Sequence, residues 1–227
     1  SSDVCSSDLD KLPDSLEGLK PVLLYPFFGI LLIGAILIFI VNPPVAALNG
    51  GITNLLNSMG STSKVLLGLV LGGMMAIDMG GPFNKAAYVF GTASLATGNN
   101  DIMAAVMIGG MVPPLAIALA TTFFKNKFTS RERQSGITNY IMGISFITEG
   151  AIPFAAADPL RVIPSCVIGS AVAGGLSMFF GCQTLAPHGG LFVVPVMTNP
   201  FMFVVSLIIG ALVGMVLLGV LKKPLDR

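Results

Sequence analysis

Residues 22–41, VLLYPFFGILLIGAILIFIV, form an apolar run without a single charge, and about 20 such residues let a helix cross a bilayer. Pro43 and Pro44 stop the run. Residues 44–59 alternate apolar and polar groups weakly, which predicts an interfacial helix or loop. A second apolar segment covers 62–79 and carries Asp78 near its end. The next, GGPFNKAAYVFGTASLAT at 80–97, opens with helix breakers, and its apolar part is short for a crossing. Residues 102–124 are apolar and contain Pro113 and Pro114, the signature of a kinked helix. Over 136–158 two half-length apolar pieces flank TEGAIP, and neither is long enough to cross alone. A full-length segment rich in Gly, Ala and Ser follows at 162–181, a composition that lets helices approach closely. Residues 182–197 are again broken, at PHGG, and 200–221 make a last clear span. The pattern predicts an all-α polytopic membrane protein with about six membrane-crossing segments plus two re-entrant hairpins, at 136–158 and 182–197.

Composition supports lipid as the solvent. Hydrophobic residues make up 54% and charged residues 10%, with a mean hydropathy of +0.87, whereas soluble domains carry about 25% charge. The net charge of +1 gives no sign of a nucleic-acid partner. Charge position says more. Lys11 and Lys20 precede the first span, Lys125, Lys127, Arg131 and Arg133 fill one loop against Glu132, and Lys222, Lys223 and Arg227 follow the last span. Excess Lys and Arg marks cytoplasmic loops. Crossings at 22–41, 62–79, 83–98 and 102–124 return the chain to the basic loop. With 136–158 and 182–197 dipping and returning, 162–181 and 200–221 place the C-terminus inside as well. The short crossing at 83–98 is the weakest element of this count. The first nine residues, SSDVCSSDL, repeat SSD without an apolar core. They resemble translated sequencing-adapter DNA and are expected to be foreign to the fold. Cys5, Cys166 and Cys182 have no ligand spacing, so no metal site is expected, and the latter two read as small hydrophobes.

Few ionisable groups remain in the apolar stretches: Lys64, Asp78, Lys85, Asp101, Glu149, Asp158, Arg161 and His188. Such groups at membrane depth usually face a cavity or a partner. Three interruptions carry them: GGPFNK with Asn84 and Lys85, ITEGAIPF with Thr148 and Glu149, and APHGG with His188. Non-helical backbone inside a membrane is tolerated where it lines a wet cavity, a recurring device of transporters. A polyol there needs acceptors and donors. Glu149 can accept two hydroxyl hydrogen bonds, Asn84 can donate and accept, and backbone groups at Gly150, Gly189 and Gly190 can add more. A carboxylate beside a hydroxyl can also act as general base while that oxygen attacks phosphorus, and an imidazole can do similar work. Plainer roles stay open. Glu149 could cap a half-helix or pair with Arg161, His188 could be structural, Lys85 could snorkel to an interface, and Asp78 could end a helix. Asp158 and Arg161 have the spacing of a structural ion pair on a helix, and the methionines read as packing.

MGGPFNKAAYVFG, MVPPLAIALAT, FITEGAIPFAAADPLRVIPS and LAPHGGLFV, with KLPDSLEGLKPVLLYP upstream, resemble the fructose-specific membrane permease (IIC) of the bacterial phosphoenolpyruvate-dependent sugar phosphotransferase system, over roughly residues 10–224. The resemblance implies an elevator-type permease of the cytoplasmic (inner) membrane, a dimer in lipid, which imports fructose or a related sugar while it is phosphorylated. The phosphoryl group comes from a phosphocysteine on a IIB domain or subunit, so no cofactor is implied. Glu149 matches the family glutamate that contacts the sugar hydroxyl to be phosphorylated, and His188 falls on the second hairpin; these two are the expected catalytic residues. Asn84, Thr148, Gly150, Gly189, Gly190, Lys85 and Asp78 are the expected substrate contacts. Family members begin with further spans, so residues 10–227 are expected to be a partial IIC domain whose separate activity is in doubt. Two other readings are an ion-coupled sugar transporter with Asp78 and Glu149 as ion sites, and an inactive fragment.

Overall fold

The computed structural model describes residues 23–44 and 61–224. The foreign segment expected at 1–9, the basic residues Lys11, Lys20 and Arg227, and nearly all of the interfacial segment expected at 44–59 lie outside the described residues. The chain divides into two compact units, residues 1–55 and 56–227, each described by itself.

In the first unit, helix α1 (Tyr25–Ile36) runs on into a wider π-type turn, Leu37–Val41. It has no buried residue and no polar face. A helix that is apolar all round is at home in hydrocarbon, where its own backbone hydrogen bonds satisfy every peptide group.

The second unit contains α2 (Ser61–Ile77), α3 (Pro82–Ala96), α4 (Asn100–Phe123), α5 (Ser130–Ile144), α6 (Ile152–Ala157), α7 (Pro159–Phe179) and α8 (Pro200–Leu221), with short 3-10 turns at Lys125–Lys127, Thr148–Ala151 and Gly190–Val196. Prolines sit in the first turn of α3, α6, α7 and α8, where the missing N–H has no helical acceptor to lose. The protein is all-α and polytopic.

Helix α4 is the axis of the unit. Its residues 102–114 are all buried, and α2, α3, α5, α7 and α8 pack around it. It stays continuous through Pro113 and Pro114. Neither proline has an N–H, so the carbonyls of Gly109 and Gly110 lose their helical donors. The Thr148 hydroxyl donates to the Gly110 carbonyl at 2.8 Å, which satisfies one of the two freed groups in the middle of the helix.

Contacts fix which ends lie together. Lys64 of α2 pairs with Asp101 at the start of α4 at 2.9 Å. The Thr184 N–H donates to the Asn100 carbonyl at 3.2 Å, and Gln183 bridges to Thr198. So α2 begins, α3 ends, α7 ends and α8 begins at the α4 N-terminal end. At the opposite end Lys222, closing α8, reaches both Glu132 of α5 and Asp158 between α6 and α7, each at 3.7 Å. Three chain segments therefore fold back on themselves: α2–α3 and residues 182–199 from one end, α5–α6 from the other.

The described residues show how the expected crossings are built. Four described helices are long and apolar enough to span: Tyr25–Pro44, Asn100–Phe123, Pro159–Phe179 and Pro200–Leu221. The two shorter segments expected to cross, 62–79 and 83–98, are arms of the α2–α3 hairpin. Their described helices have 17 and 15 residues, about 26 and 23 Å at about 1.5 Å each, against the roughly 30 Å of a hydrocarbon core.

Close approach of the long helices depends on small residues. A Cβ on Gly72 would run into the Ser170 carbonyl, one on Gly174 into the Gly68 carbonyl, and one on Gly169 into the Gly210 carbonyl. These contacts join α2 to α7 and α7 to α8, the small-residue packing that holds helices together where lipid removes the hydrophobic drive.

Candidate functional site

The break between α2 and α3 is built by its own polar residues. Asp78 accepts from the backbone N–H groups of Phe83 at 2.6 Å and Asn84 at 3.0 Å, so it caps the first turn of α3. Met79 at φ 48 and Gly80 at φ 119 turn the chain. The buried Asn84 side chain donates to the Met75 carbonyl at 2.7 Å, one of the orphan acceptors at the end of α2. Lys85 donates its ammonium to the Gly80 carbonyl at 2.8 Å.

The α5–α6 hairpin brings Glu149 to this break. Thr148 docks on Gly110, and the Glu149 carboxylate lies so close to Gly80 that a Cβ there would sit 3.0 Å from Oε1. The third broken segment arrives from the opposite end. Gly189 at φ 125 and Gly190 at φ 57 make its turn, and Gly190 is packed against the backbone of Ser145 and Phe146. His188 then lies beside Phe146, with ring centroids 4.9 Å apart.

Together these segments enclose a cavity of about 280 Å³ lined by Met75, Asn84, Lys85, Tyr88, Phe146, Ile147, Thr148, Glu149 and His188. Five of the residues singled out by sequence thus share one wall: Asn84, Lys85, Thr148, Glu149 and His188. Among the described residues Glu149 makes no ion pair, and Arg161 pairs instead with Asp158 at 2.9 Å. Nor does Glu149 cap a helix with its side chain. Its carboxylate is left exposed to the cavity.

Four expected substrate contacts lie outside the cavity lining. Asp78 commits both carboxylate oxygens to the α3 backbone. Gly150 faces away, against Asn139 and Met142; Gly190 abuts the hairpin tip; Gly189 faces Val193. None of the four lines the cavity. The three glycines shape the breaks, because a turn at positive φ, as at Gly189 and Gly190, or a close approach, as at Gly150, requires glycine. Conversely, sequence reasoning did not single out Tyr88 or Phe146. Tyr88 was within reach of it, since it sits four residues after Asn84 and three after Lys85 and so shares their helix face. Nothing local marks Phe146, which adopts φ 61. No three His, Cys, Asp or Glu side chains among the described residues gather into a metal site.

An unpaired carboxylate, an ammonium, an amide and an imidazole on three converging broken segments suit a small polyhydroxy ligand. Comparison with known proteins identifies the family. A family model described as "Phosphotransferase system, EIIC" matches residues 6–169. The chain belongs to this family. Among relatives of this EIIC chain, the PTS system fructose-specific EIIABC component of Bacillus subtilis is 59% identical over 216 residues, which cover 95% of this chain and 34% of that protein. The Fructose permease IIC component of Bacillus amyloliquefaciens is 58% identical over 216 residues, 95% of this chain and 71% of that protein. The PTS system fructose-specific EIIC component of Haloferax volcanii is 44% identical over 216 residues, with 95% and 58% covered. The EIIC chain thus spans about a third of the first relative's length and more than two thirds of the second's. No solved structure matches it.

Proposed function

We propose that the cavity is the sugar site of a fructose permease, in which the bound sugar is phosphorylated from a phosphocysteine of a IIB partner as it enters the cytoplasm. The observation that carries this reading is the free Glu149 carboxylate facing the same cavity as Asn84, Lys85 and His188. The volume, about 280 Å³, is at the small end of ligand cavities, which run from about 300 Å³ upward, as befits a monosaccharide. The fructose specificity in the relatives' names supplies the sugar.

The chemistry follows from the groups present. Asn84 turns its amide nitrogen to Met75 and keeps its carbonyl oxygen for a sugar hydroxyl. Glu149 accepts a second hydroxyl and takes its proton as that oxygen attacks phosphorus. A P–O bond forms, the P–S bond of the phosphocysteine breaks, and the thiolate leaves on IIB. Lys85 and His188 face the charge on the transferring phosphoryl group. In this reading the three folded-back segments are re-entrant in the membrane, the Lys222 end is cytoplasmic, and the permease works as a homodimer in lipid.

The test is Glu149→Gln in the complete permease, in membrane vesicles supplied with phospho-IIB. General-base assistance contributes about 10²–10⁴-fold, so sugar-phosphate formation falls by at least about 100-fold while fructose binding persists. Unchanged phosphorylation overturns the reading. Accumulation of unmodified fructose driven by an ion gradient would identify an ion-coupled transporter instead.

A further inference from the structure

His188 is the chain's only histidine, and among the described residues neither ring nitrogen has a hydrogen-bond partner. An imidazole that serves a reaction is normally oriented by a hydrogen bond to one of its nitrogens. Here ring contacts do that work. The Phe146 ring lies 4.9 Å from the imidazole at 41°, Tyr88 meets it edge-on at 6.5 Å and 69°, and Tyr88 and Phe146 are 6.1 Å apart. Each ring comes from a different broken segment, so this triad is where the three segments touch.

Phe146 is itself tightly held. Its φ of 61 is in the left-handed region, which a bulky residue adopts only when its surroundings impose it. The surroundings do so from two sides. A Cβ on Gly110 would strike the Phe146 ring, and a Cβ on Gly190 would strike its backbone nitrogen. The side chain is only 5% exposed. The hairpin that carries Glu149 therefore also sets the place of the imidazole carried by the other hairpin.

We infer that Phe146, with Tyr88 beside it, is a positioning residue for His188: the two rings fix the imidazole plane and leave both nitrogens free for the sugar or the phosphoryl group. The inference rests on the proposed sugar site. It makes His188 position dependent on the α5–α6 tip, so loss of the Phe146 ring acts on phosphoryl transfer more than on sugar affinity.

The experiment compares Phe146→Leu, Phe146→Tyr, Tyr88→Leu, His188→Gln and the Phe146→Leu/His188→Gln double variant in the complete permease. Vesicle phosphorylation of fructose by phospho-IIB is measured alongside the carbethoxylation rate at His188, read by peptide mapping, with and without fructose. A reacting group displaced by about 1 Å costs up to about 100-fold. Phe146→Leu therefore lowers kcat by about 10- to 100-fold with KM for fructose within about threefold, and Phe146→Tyr, which keeps the ring, restores it. Tyr88→Leu shows the same split more weakly. In the His188→Gln background Phe146→Leu adds nothing, because groups acting as a unit are non-additive. Fructose protection of the imidazole against carbethoxylation weakens in Phe146→Leu. The inference is overturned if Phe146→Leu leaves kcat and imidazole protection unchanged, if it raises KM alone, if its effect multiplies with that of His188→Gln, or if it fails to fold while Tyr88→Leu is silent. If His188→Gln is itself silent, this inference falls while the sugar site still stands on Glu149→Gln.

Discussion

The α5–α6 hairpin has a base and a tip, and its carboxylates are treated in opposite ways at the two. At the base both carboxylates, Glu132 and Asp158, are paired. Asp158 binds Arg161 at 2.9 Å, and Lys222 reaches both Asp158 and Glu132 at 3.7 Å with its ammonium 5.0 Å above the Phe128 ring. Glu132 and Thr129 close a capping box on α5. At the tip, Glu149 has no partner among the described residues, and Lys85 has only a carbonyl. The base ties both arms of the hairpin to the end of α8, which fixes where the tip must be. The tip keeps its charges open to a cavity. Leaving a carboxylate unpaired inside a membrane protein is costly, and a stable arrangement tolerates it where the cost serves binding or chemistry.

The sharpest way to break this contrast is to neutralise one carboxylate at each place. Glu149→Gln should abolish sugar-phosphate formation by at least about 100-fold and leave detergent stability unchanged or slightly raised, since no ion pair is lost. Asp158→Asn should do the reverse, with activity within about twofold and a loss of about 1 kcal/mol from a partly exposed network. Thermal unfolding and vesicle phosphorylation on both variants check the pair. Equal losses of stability in the two would show that Glu149 is structural.

Much of this contrast was legible in the sequence, and the reasons are specific. The rarity of charge in the apolar stretches isolated Glu149, Lys85 and His188, because lipid leaves few places for them. Gly-Gly-Pro, Glu-Gly and Pro-His-Gly-Gly marked the breaks through backbone chemistry alone. Asp158 and Arg161 were readable because helix neighbours are local. The fate of 62–79 and 83–98 was not. Their apolar content suits a crossing as well as a half-hairpin, and only contacts between residues far apart in sequence, Met75 with Gly110 in the middle of α4 and Gly80 with Glu149, show where their turn lies. Lys222 as the tie between Glu132 and Asp158 is likewise a property of three segments, not of one. Phe146 escaped because left-handed backbone at a non-glycine residue comes from its packing partners.

A second probe bears on what supports the tip. Pro114 frees the Gly110 carbonyl, and Thr148 supplies its donor at 2.8 Å. Thr148→Val keeps the shape and removes the hydroxyl. A buried acceptor without a partner costs about 1–3 kcal/mol, so the variant should lose stability in that range and its tip should exchange amide hydrogens faster, with Thr148→Ser largely restoring both. If Thr148→Val is as stable as the unaltered protein, the hairpin is not anchored through α4 at that point.

The smallest expected effect tests the base at its most local level. Thr129 accepts the Glu132 N–H at 3.2 Å while Glu132 accepts the Thr129 N–H at 2.7 Å, so the box satisfies two orphan donors at the start of α5. Thr129→Ala removes one acceptor at an exposed site where water can replace it. The cost is about 1 kcal/mol or less, and Thr129→Ser, which keeps the oxygen, should show almost none. Because Lys222 also binds Glu132, the capping box and the ionic tie share a residue and should couple. Thr129→Ala in the Lys222→Met background should then cost measurably more than in the unaltered chain, since the box is left as the main restraint on the first turn of α5. Strict additivity would mean that base and tie act independently, and that α8 does not position the start of the hairpin.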